Sequence, residues 1–150
     1  MSRETTIRWG WLKVMYIYTI VVAGTFGLGN ILMPRTVSSL LGLPDPEPIT
    51  TGITASVYLA FAVLSVFGLR SPLRFAPVLL LQLVYKSIWF IGVILPMLVT
   101  GRFPVYAILP TVVFATYIVG DLIAIPFPYV LAKGTGGMPS GDRASGLQAT

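Results

Sequence analysis

Two residues of opposite charge, Lys86 and Asp121, interrupt sequence that is otherwise apolar. Each lies in a run long enough to cross a bilayer, where an isolated charge costs about 2.5–3.5 kcal/mol on insertion scales. Lys86 falls about twelve residues into its run, roughly 18 Å deep at about 1.5 Å per residue. Asp121 falls about 8–12 residues before the end of the next run, roughly 12–18 Å deep. The two depths overlap and a short loop makes the runs neighbours, so the sequence predicts an intramembrane Lys86–Asp121 ion pair. Pairing recovers part of the burial cost. The pair has two readings. It is a clasp that fixes how two helices dock, or it is a proton-handling or ligand-binding site.

The neighbours extend the polar patch. Gln82 lies one turn before Lys86, and Trp89 and Phe90 lie one turn after it. Tyr117 lies one turn before Asp121. Gln82, Lys86, Tyr117 and Asp121 therefore form a cluster that could seat a ligand headgroup or a quinone carbonyl. The same groups could instead satisfy one another. Asn30 follows Gly24, Gly27 and Gly29, small residues that let helices approach closely, and is expected to hydrogen-bond across that contact. Gln82, Trp89, Tyr117 and Asn30 are the candidate ligand-binding residues around the pair. Ser56 and Ser65 are expected to bond back to their own helix.

The elements that hold these groups follow from composition. Of 150 residues, 55% are hydrophobic and 10% are charged, with a mean hydropathy of +0.86. A soluble domain carries roughly 25% charged residues, and a disordered chain is poor in apolar ones. Both classes are excluded, and the chain belongs in a membrane. Four apolar runs reach the required length of about 20 residues: about Val14 to Met33, Ile49 to Leu69, Phe75 to Val99 and Val105 to Val130. The runs are continuous rather than alternating, so each is a helix and not a barrel strand. The first reads as a retained span, being long for a signal peptide and lacking a clear A-x-A cleavage site.

Short connections, Arg70 to Arg74 and Gly101 to Pro104, force antiparallel neighbours. The fold class is all-α: an integral membrane four-helix up-down bundle. Pro34 to Pro44 predicts a short interfacial helix with Val37, Leu40 and Leu41 on one face. Asp45-Pro-Glu-Pro48 is a stiff acidic turn, with too few carboxylates for a calcium site. Pro77 is expected in the first turn of the third span, and Pro126 is expected to loosen the fourth just past Asp121. Residues 134–150, rich in Gly and Ser, are expected to be a disordered cytoplasmic tail. This leaves 1–133 as the transmembrane domain.

The net charge of +5 is distributed unevenly. Arg3, Arg8, Lys13, Arg70, Arg74, Lys133 and Arg143 fall on one side of a four-span arrangement, and Arg35 and Arg102 on the other. The basic side faces the cytoplasm. The expected location is the cell's inner membrane, multi-pass, with both termini cytoplasmic. Trp9, Trp11 and Tyr16 at the start of the first span and Tyr129 at the end of the fourth are expected interfacial anchors.

Absent residues exclude chemistry as firmly as present ones suggest it. There is no cysteine and no histidine, so thiol catalysis, iron–sulfur sites and the usual haem and zinc ligands are missing. Gly24-Thr-Phe-Gly-Leu-Gly29 lies inside an apolar run with no strand before it and is not a dinucleotide turn. No hydrolase elbow, zinc motif or nucleic-acid stripe occurs. No catalytic residue, metal ligand set or cofactor is implied.

Gln82-Leu-Val-Tyr-Lys-Ser-Ile-Trp89 and Gly120-Asp-Leu-Ile-Ala-Ile-Pro126 resemble segments of small four-span bacterial membrane proteins of the DoxX-like type, over about residues 10 to 132. The resemblance implies a place in a redox or quinone-associated membrane system and assigns no functional residue. Two functions fit the sequence. One is a non-enzymatic bundle that binds membrane lipid or a quinone-like ligand, or serves as accessory subunit to a membrane-protein partner or a second copy of itself. The other is a small proton-coupled carrier using Lys86 and Asp121.

Overall fold

The protein is described by a computed structural model covering residues 7–132. The tail expected from 134 onward lies outside the described residues. Helix α1 (Trp9–Leu32) is followed by the short α2 (Pro34–Leu41), then α3 (Pro48–Arg70) and α4 (Pro72–Trp89). A π-turn (Phe90–Ile94) joins α4 to α5 (Leu95–Val99). A 3₁₀ turn (Val105–Ala107) leads into α6 (Ile108–Ala124), and α7 (Phe127–Ala132) closes the described chain. Four stretches are long and apolar enough to cross a membrane: Trp9–Leu32, Pro48–Arg70, Pro72–Val99 and Val105–Ala124. The fold is the all-α, up-down bundle of four spans that the apolar runs require.

Local chemistry sets the helix ends. Pro48 and Pro72 open α3 and α4 in the first turn, where the missing amide has no partner to lose. Glu47 caps α3, accepting from the Ile49 amide at 3.0 Å and the Thr50 amide at 2.6 Å. Hydrogen bonds from Thr50, and then from the Ile49 amide, hold its carboxyl below the ordinary carboxylate range. The acidic turn is thus a helix cap as well as a solvated loop. Gly42, at φ +64°, ends α2 in the left-handed conformation, with the Leu43 amide donating to the Ser38 carbonyl at 2.8 Å. In the third span, Pro96 has no amide, and its ring would press on the carbonyl four residues back. The helix widens one residue ahead of it, so that the Leu95 amide donates to the Phe90 carbonyl.

The spans form a ring in which α1 touches α3 and α6, while α4 touches α3 and α6. Contacts also cross the diagonal between α1 and α4. The α1–α3 pair packs backbone to backbone. A Cβ on Gly27 would meet the Ala55 carbonyl oxygen at 2.8 Å and the Leu59 amide nitrogen at 2.9 Å. Gly24 lies against Ala62 in the same seam. Asn30 does not bridge it: Nδ2 donates to the Phe26 carbonyl of its own helix at 2.9 Å, because the glycines bring the helices together without polar help. Ser56 bonds back to the Gly52 carbonyl at 2.8 Å. Ser65 does not follow it. Its hydroxyl is buried and has no hydrogen-bond partner.

Four other expectations change. Tyr16 is fully buried, and its hydroxyl donates to the Pro72 carbonyl at 2.7 Å. It is a core strut that ties the start of α1 to the start of α4, not an interfacial anchor like the half-exposed Trp9 and Trp11. The third span starts earlier than expected, so Pro72 takes the first turn and Pro77 lies inside α4. The fourth span ends at Ala124, where Ile125 turns extended ahead of Pro126 and α7 starts as a separate helix. In α2, Val37 packs on Gly29, whereas Leu40 points away at 80% exposure.

Candidate functional site

Among the described residues, Lys86 and Asp121 are the buried charged side chains, at 1% and 0% exposure. α4 and α6 run antiparallel, and helical side chains lean toward their own N-terminus. The two charges sit buried on neighbouring helices. No hydrogen bond joins them: among the described residues neither Asp121 oxygen has a hydrogen-bond partner. Lys86 Nζ donates instead to Gln82 Oε1, one turn back on its own helix, at 3.0 Å. It lies 3.8 Å from the ring centre of Tyr117, one turn before Asp121 on α6. Tyr85 and Phe114 complete an aromatic cage, at 4.7 Å and 5.6 Å from Nζ. The ammonium is thus held by a local amide and by ring faces.

Gln82 links two helices. Its Oε1 accepts from Lys86 and also from Thr19 Oγ1 of α1, at 3.4 Å. Its Nε2 is buried with no partner. The site therefore carries unmatched donors on Gln82 and Lys86 and unmatched acceptors on Asp121. Buried polar groups are rarely left so.

Toward the end where α2 lies, Lys86 forms the base of a cavity of about 320 Å³. Its walls are Val22, Ala23 and Phe26 of α1, Tyr58 of α3, and Leu109, Pro110, Val113, Phe114 and Tyr117 of α6. Leu41 at the tip of α2 and Leu43 beyond it also line it. Among the described residues Lys86 is its one charged liner. Ligand sites fall between about 300 and 1,000 Å³ and combine apolar walls with a few placed polar groups.

Of the residues singled out from sequence, Lys86 and Tyr117 line the cavity and Gln82 holds Lys86. Asp121 lies behind Tyr117, outside the lining. Trp89 stands off the cavity, with its ring 4.9 Å from Phe114. Asn30 is occupied within α1. Sequence reasoning missed Thr19, Tyr58, Tyr85, Phe114, Leu41 and Leu43. Phe114 was within reach, lying three residues before Tyr117 on the same helix face. Groups of three or more His, Cys, Asp or Glu able to hold a metal do not occur among the described residues. No family model, curated protein or solved structure matches the chain.

Proposed function

We propose that this protein is a non-enzymatic binder of a lipid-like or quinone-like molecule, working alone or as accessory subunit to a larger membrane complex. The observation that carries the reading is Lys86, a buried ammonium with spare donors at the base of an otherwise apolar cavity. An apolar chain would fill the cavity toward Leu41 and Leu43, and a headgroup would accept from Lys86 Nζ. The resemblance to DoxX-like proteins points the same way. We place the protein in the cell's inner membrane with both termini in the cytoplasm. Arg8, Lys13, Arg70 and Arg74 gather at one end of the spans, against Arg35 and Arg102 at the other.

The test is native mass spectrometry on protein extracted gently from its own membrane. Retention of a lipid or quinone mass by the wild type, and its loss from a Lys86→Met, Asp121→Leu double variant, is the expected result. A bare wild-type chain, together with proton flux in vesicles that depends on Lys86 and Asp121, would overturn the binding reading in favour of a carrier.

A further inference from the structure

We infer that Asp121 sets the charge of the ligand: the cavity selects an uncharged amphiphile with a carbonyl acceptor, an ester or a quinone, and rejects an anion of equal chain length. The inference rests on the binding reading above. A lone buried ammonium would attract a carboxylate or phosphate headgroup, because opposite charges in a low-dielectric interior interact strongly. Lys86 is not alone. Asp121 is buried on the facing helix, one turn beyond the Tyr117 ring that Nζ approaches at 3.8 Å, and the two are the buried charged residues among those described. Their sum is zero whether the proton rests on the lysine or passes to the aspartate. An arriving anion would give the site a net charge of −1 in surroundings that cannot solvate it.

The aromatic cage adds to this. Ring faces are negative, and Nζ lies 3.8 Å from the centre of Tyr117 and 4.7 Å from that of Tyr85. The ammonium is therefore compensated before any ligand arrives. What it still offers is hydrogen bonding, since among the described residues only Gln82 Oε1 accepts from it and an ammonium has three donors. A carbonyl oxygen uses a spare donor and leaves the charge balance intact. Asp121 does not line the cavity, so it acts on the headgroup through Lys86 as a specificity-determining residue and makes no contact with it.

The experiment offers the full chain, in an uncharged detergent, an equimolar mixture of palmitate and methyl palmitate, and counts both adducts by native mass spectrometry. The wild type is expected to retain the ester over the acid by about tenfold or more, a difference of about 1.4 kcal/mol. Asp121→Asn removes the counter-charge and should move the ratio toward palmitate by at least as much. That change cancels any unequal partition of the two probes into micelles. A decyl-substituted benzoquinone displacing methyl palmitate would assign the carbonyl to a quinone, and failure to displace it would assign an ester; either supports an uncharged ligand. Palmitate prevailing on the wild type, or a ratio untouched in a folded Asp121→Asn variant, would overturn the inference and leave binding itself standing. Retention of none of the three probes would overturn the binding reading. Palmitate prevailing on the wild type overturns the inference even where Asp121→Asn does not fold.

Discussion

Two seams run through this bundle and solve opposite problems. Along α1–α3, Gly24 and Gly27 remove side chains so that backbone meets backbone, and Ala55, Leu59 and Ala62 fill the contact. Along α4–α6, Lys86, Gln82, Tyr117 and Asp121 bring polar groups into the interior and leave several of them unmatched. In lipid, helices gain little from apolar burial alone, because the tails are as apolar as leucine. Close packing is what remains, and α1–α3 supplies it. That contact lets α4–α6 hold a charge, a free carboxylate and a cavity without the bundle coming apart. Stability and site are thus divided between two pairs of helices.

The division can be broken from the side that holds the bundle. Gly27→Leu drives a side chain into the Ala55 carbonyl and the Leu59 amide, neither of which can swing aside. Overpacking typically costs about 1–3 kcal/mol and more where backbone must move. The expected result is loss of the folded, monodisperse peak in detergent size-exclusion chromatography. A folded Gly27→Leu protein with wild-type melting would show that α1–α3 is not the holding seam.

From the other side, Lys86→Met leaves Asp121 buried without its counter-charge. Removing one partner of a buried pair costs about 3–5 kcal/mol, read as a lower midpoint of unfolding in mixed micelles. Adding Asp121→Leu should restore most of that loss, and the non-additivity measures the coupling between the two. Additive losses would mean that the charges do not communicate. A smaller effect is expected at the strut between the seams. Tyr16→Phe leaves the Pro72 carbonyl without its donor and should cost about 1–2 kcal/mol in the same unfolding measurement.

The smallest effect concerns the cap outside the spans. Glu47 has its carboxyl held below the ordinary range by hydrogen bonds from Thr50 and Ile49. A depressed carboxylate lends stability above its unfolded pKa, and that stability is lost as pH falls through the folded value. Hydrogen exchange at the Ile49 and Thr50 amides should therefore quicken, relative to its intrinsic rate, on acidification below the ordinary carboxylate range. Glu47→Gln should abolish that dependence while leaving both seams unchanged. An unaltered pH profile in the variant would assign the effect elsewhere.

The sequence made the α4–α6 seam far more legible than the rest of the site. A charge in an apolar run stands out, and turn-by-turn spacing places Gln82 and Tyr117 beside it. The number and order of spans were equally open to reading, since length and hydropathy decide them. The cavity was not. Facing α6, its walls come from α1, α3 and the tip of α2, whose lipid-facing and inward-facing sides are equally apolar. Val21 and Val22 differ in no property that shows which one faces the ligand space, yet only Val22 lines it. The company that Lys86 keeps was hidden for a related reason. Helix spacing gives depth along an axis, but not that the ring of Tyr117 takes the place beside the ammonium.

The π-turn at Phe90–Ile94 has a meaning for how this span can change. A π-turn contains one residue more than the α-helical path needs, and one residue turns a helix by roughly 100°. The third span is therefore two segments joined by a phase shifter. One segment has its azimuth set by Gln82 and Lys86 in the core, and the other has its azimuth set by the return at Gly101. Insertions or deletions on the Leu95–Val99 side can be absorbed at the joint, so that end of the span is free to be rewritten while Lys86 keeps its aim.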